Sequence, residues 1–139
     1  MVRLDILLSL AVLGIVDFKS YKIPNVILCG WLGTMVFKAI MFSVTPMITI
    51  SSILYALIVA GSYIPLGQIV KCSPGDFKLF AILSIAIGIT DMLTVLFITM
   101  LIALFPLASG IKKVPIAFLT FFGYIAFLLM QSEGIIWKN

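Results

Sequence analysis

The sequence predicts an all-α fold, a polytopic membrane bundle of about six transmembrane spans, on three observations. The 139 residues are 63% hydrophobic and only 10% charged, against roughly 45–50% and 25% in a soluble domain, so they cannot assemble a water-facing surface. Apolar runs of helical length recur between short breakers. The lysines gather in alternate loops, the pattern of a chain that crosses a bilayer repeatedly.

The runs are Leu4 to Val16, Val26 to Phe42, Ile48 to Val70, Phe77 to Ile89, Met92 to Ala108 and Val114 to Met130. Lys19 to Pro24, Ser43 to Pro46, Ser73-Pro-Gly75, Gly88 to Asp91 and Ser109 to Lys113 separate them. The first run follows a weakly basic start, and no small-x-small cleavage site follows its apolar stretch, so it reads as a retained span. The fourth run rises only about 20 Å as a helix, which predicts an end inside the membrane and a polar cavity beside Asp76. Spans four and five read as a hairpin turned at Gly88 to Asp91, with Asp91 as a helix cap. No segment is polar enough to fold separately, so residues 1–139 read as one membrane-embedded domain.

With six crossings, the loops after spans one, three and five share a face carrying Lys19, Lys22, Lys71, Lys78, Lys112 and Lys113. The positive-inside rule puts that face in the cytoplasm and both termini outside. The net charge of +4 follows from this bias, and no nucleic-acid partner is expected. Histidine is absent, which excludes a Ser/His/Asp triad and most zinc sites. Cys29 and Cys72 form no metal-binding pattern and are expected to be small buried hydrophobes. No cofactor or metal is expected.

Asp17 and Asp76 are the acids on the cytoplasmic face. Asp76 follows Ser73-Pro74-Gly75, which suits a type II turn, and its simplest role is an N-cap. Asp17 closes an apolar run, where capping of its own helix gives no explanation because a carboxylate meets the unfavourable end of the dipole. An interfacial ion pair with Lys19 or Lys22 is the plain alternative. Brought to about 4 Å, the two carboxylates would repel by about 4 kcal/mol at an effective dielectric near 20 and so share one proton. That state suits hydrolysis: one carboxylate takes a proton from water while its protonated partner polarises a carbonyl.

Two segments carry a family resemblance: Asp17-Phe-Lys-Ser-Tyr-Lys-Ile-Pro-Asn25 and Ser73-Pro-Gly-Asp-Phe-Lys-Leu79. They resemble the motifs of the type IV prepilin peptidases, the second being similar to Gly-x-Gly-Asp-x-Lys-Leu with Ser73 in place of the first glycine. The resemblance implies a compact membrane aspartic protease, lacking the methyltransferase region, with Asp17 and Asp76 catalytic. Its substrate would be a prepilin-like protein entering from the bilayer, cut after its basic leader at the inner membrane's cytoplasmic face, with membrane lipid as the other partner. Pro24, Asn25, Gly75 and Lys78 fall on supporting motif positions. From the residues, Pro24 suits position N1 of a helix, Asn25 a bond to the loop backbone, and Gly75 the turn. Lys78 would lower the Asp76 pKa or snorkel to lipid phosphate. Serine at position 73 would strain a turn that needs positive φ.

Rival readings are a small transporter or transporter subunit, in which intramembrane carboxylates bind a solute or ion, and a noncatalytic pilus or secretion assembly protein. A Ser/Lys protease using Ser73 would face the wrong side of the membrane for leader removal.

Overall fold

The computed structural model describes residues 2–42, 50–64, 73–111 and 114–133. Among them the regular secondary structure is all helix: α1 (Val2–Ser20), α2 (Asn25–Phe42), α3 (Ile50–Gly61), α4 (Pro74–Ile87), α5 (Ile89–Ala108) and α6 (Ile116–Ser132). The six apolar runs each correspond to one helix. The ends of the third run, Cys72, Lys71, Lys112 and Lys113 lie outside the described residues. One helix among those described, α5, is long and apolar enough to cross a membrane by that measure alone.

The chain divides into two compact units, one of residues 1–21 with 93–139 and the other of residues 22–92. In the first unit α1 packs along α6. Its buried stripe is Ile6, Leu10, Leu13 and Asp17, the i, i+4, i+7, i+11 spacing of one helix face. The opposite face exposes Leu4, Leu8, Val12 and Ile15. Gly14 permits the close approach of the two helices, because a Cβ there would lie 3.1 Å from the Phe118 Cα. The helix runs three residues past Asp17, beyond the end of the apolar run, and closes where the Tyr21 N–H donates to the Asp17 carbonyl at 2.7 Å. Tyr21 takes φ 51 there, the left-handed conformation that ends many helices.

In the second unit α4 packs against α3 and α2. It is buried over most of its circumference, from Gly75 and Asp76 through Leu79 to Ser84 and Ala86, and Asp76, Leu79, Phe80 and Leu83 share one side of it. The expected loop between α4 and α5 is a single residue, Gly88, at φ 86 and ψ 161, a region open essentially to glycine alone. Its carbonyl accepts the Met92 N–H at 3.0 Å. Asp91 therefore lies inside the first turn of α5 and is not its cap.

Candidate active site

Asp17 is 4% exposed, and one carboxylate oxygen accepts the Ala117 backbone N–H at 2.9 Å. Ala117 is the second residue of α6, a helix preceded by Pro115, which provides no side-chain cap. The first N–H groups of a helix lack intrahelical partners and attract negative charge. Asp17 thus acts as the missing cap of a helix a hundred positions away, so capping does account for part of its placement. The Phe18 and Phe118 rings, 5.0 Å apart, pack beside this bond.

Asp76 is 8% exposed and stands at the third position of α4, not at its N-cap. Ser73 is the N-cap: its hydroxyl accepts the Gly75 N–H at 3.1 Å, while the Asp76 carboxylate accepts the Ser73 N–H at 3.0 Å. This reciprocal box satisfies donors at the helix start. Pro74 occupies the first helical position, where its missing N–H costs nothing. The expected type II turn is not formed, since Pro74 and Gly75 already belong to the helix. Ser73 takes φ −70 and ψ 142, open to any residue, so serine introduces no strain. Gly75 packs closely on Ile23: a Cβ there would lie 3.1 Å from the Ile23 Cβ, so Ile23 would have to give by a few tenths of an ångström.

The remaining motif residues meet in the second unit. The Lys78 ammonium donates to the Asn25 side-chain oxygen at 3.0 Å, so Asn25 bonds a side chain and not the loop backbone. Pro24 lies one position outside α2, with its carbonyl accepting the Ile27 and Leu28 N–H groups. Tyr63 and Phe77 meet edge to face at 5.4 Å, anchoring the residue next to Asp76. Along α4, Lys78 is turned about 200° from Asp76, on a different face from the carboxylate it was expected to tune.

Between α2, α3 and α4 lies a groove of about 500 Å³. It is mainly apolar and follows the Lys78 face of α4, so it is not the polar cavity expected beside Asp76. Cys29 lines it and is exposed, contrary to its expected burial. The adjoining face of α2, with Val26 and Gly30, is exposed as well.

Both aspartates are thus buried near a helix end, with a carboxylate oxygen on backbone N–H groups at or beside a helix start. The sequence model of the type IV leader peptidase family matches residues 5–108, a stretch containing both. The chain belongs to this family. Membership of the type IV leader peptidases makes it a peptidase, a hydrolase of the type IV leader-processing class. No curated protein and no solved structure is significantly similar to it. The family match ends before α6, which supplies the Ala117 N–H to Asp17.

Sequence reasoning missed three participants in this leader peptidase. Ser73 had a readable signal, a serine three positions before an acid with proline between. Ile23 had a weaker one, an apolar residue just before Pro24. Ala117 had none, because a backbone donor carries no residue-type signature.

Proposed function

We propose that this leader peptidase is a multi-pass aspartic endopeptidase of the inner membrane, cleaving the basic leader of prepilin-like proteins at the cytoplasmic face with Asp17, Asp76 and one water. The observation that carries this reading is the matched treatment of the two acids. Each is buried near an end of an apolar helix and accepts a backbone N–H, and the motif resemblance assigns each to a catalytic aspartate position. In the working state the two carboxylates hold one proton between them. The ionised one takes a proton from the water as it attacks the scissile carbonyl. The protonated one polarises that carbonyl and then protonates the leaving amine.

Membrane placement is supported by apolar side chains on the outer faces of the helices as well as the inner ones. In α5, Leu93, Phe97, Leu101, Leu104 and Phe105 are all exposed, a pattern that suits lipid as solvent. Six spans with the lysine-bearing loops in the cytoplasm put both motifs on the side where the leader waits. The substrate's own apolar helix enters laterally from the bilayer.

Coexpression with a prepilin-like substrate in a heterologous membrane tests the proposal, with leader loss read on a gel. Asp17→Asn and Asp76→Asn are each expected to slow processing by roughly a hundredfold or more, the scale of a lost general acid or base. Processing at the wild-type rate by either variant removes the dyad. A folded wild type that processes no such substrate favours an assembly role.

A further inference from the structure

We infer that the groove between α2, α3 and α4 is a binding site for one acyl chain of an anionic glycerophospholipid, whose phosphate sits on Lys78. The inference rests on the membrane placement proposed above but not on the aspartate chemistry. The walls are apolar, with Leu28 and Leu32 from α2, Ile53 from α3 and Ile82 from α4. The Lys78–Asn25 pair lies at the end nearest the start of α4, and Lys78 alone is charged among the described residues lining the groove. Apolar walls leading to one cation complement an amphiphile with an apolar tail and an anionic head. An ammonium has three donors, and Asn25 takes one, leaving donors for phosphate oxygens.

The direction of the groove argues against the peptidase substrate as occupant. Lys78, Ala81, Ile82 and Ile85 line the groove from α4 and centre about 190° around that helix from Asp76. A segment lying there is on the far side of α4 from the carboxylate.

Native mass spectrometry of the full chain, released from nanodiscs of phosphatidylglycerol and phosphatidylcholine, reads the bound lipid directly. Wild type is expected to retain one phosphatidylglycerol. Lys78→Gln is expected to weaken retention about fivefold, the value of one lysine facing an anionic headgroup. Ala60→Trp, which fills the groove and keeps Lys78, is expected to prevent retention. Asp76→Asn is expected to retain lipid like wild type, whether or not the peptidase proposal stands. A second measurement follows alkylation of Cys29 by N-ethylmaleimide in a Cys72→Ala background, where phosphatidylglycerol is expected to slow the reaction and Lys78→Gln to lessen that protection. No lipid on wild type, or equal retention in Lys78→Gln and Ala60→Trp, overturns the inference. So does a chain found in the soluble fraction, or Cys29 protection produced by a prepilin-like peptide or by self-association but not by lipid.

Discussion

At the scale of single residues, the carboxylate of Asp17 has a structural duty that can be separated from any chemistry. Its oxygen accepts the Ala117 N–H, and an amide oxygen at the same place accepts it equally well. Asp17→Asn is therefore expected to fold like wild type, whereas Asp17→Leu leaves a buried donor unpaired and costs about 1–3 kcal/mol. Thermal unfolding in detergent, comparing the two variants, checks the difference. Ser73 has a similar duty at the other acid. Ser73→Ala removes the cap and is expected to cost about 0.5–2 kcal/mol, while Ser73→Gly costs a few tenths. Because the backbone at position 73 is ordinary, Ser73→Gly is also expected to leave the rate of leader removal within about twofold of wild type by the gel assay. The value of both acids was legible from residue type and position. Their partners were legible only where they lay close in sequence: Ser73 is three positions from Asp76, and Ala117 is a hundred from Asp17.

At the scale of helices, periodicity explains why both acids are buried. Ile6, Leu10, Leu13 and Asp17 share one face of α1, and Asp76 shares a side of α4 with Leu79, Phe80 and Leu83 in a helix buried over most of its circumference. In a chain apolar on all faces, composition cannot say which face turns inward, and in α1 the acid in register with the stripe is an early marker of it. The helices were readable as apolar runs, but their ends were not. α4 begins three residues before its run because the Ser73 box and Pro74 start it in polar sequence, and α1 outlasts its run because an aspartate does not stop a helix. The break between α4 and α5 contracts to Gly88 because one glycine at φ 86 suffices. Gly88→Ala is expected to destabilise by about 1–3 kcal/mol, measured by thermal or denaturant unfolding. A neutral result would mean that α4 and α5 can be joined through a conformation open to alanine.

At the scale of the whole molecule, the lysine distribution makes a topological prediction. If both termini are outside, a C-terminal alkaline phosphatase fusion is expected to be active, and the same reporter placed after Lys112 inactive. The opposite result inverts the chain and removes the motifs from the cytoplasmic face. The sequence by itself determined the helical class, the apolar character, the two motifs and through them the family, since these depend on composition and on residues adjacent in the chain. Tertiary structure alone decided that Asp17 caps α6, that Gly75 packs closely on Ile23, and that Lys78 bonds Asn25 and lines an apolar groove. Each of these is a distance between groups far apart in sequence or a direction around a helix. Residue identity constrains such quantities only after packing has chosen which faces meet.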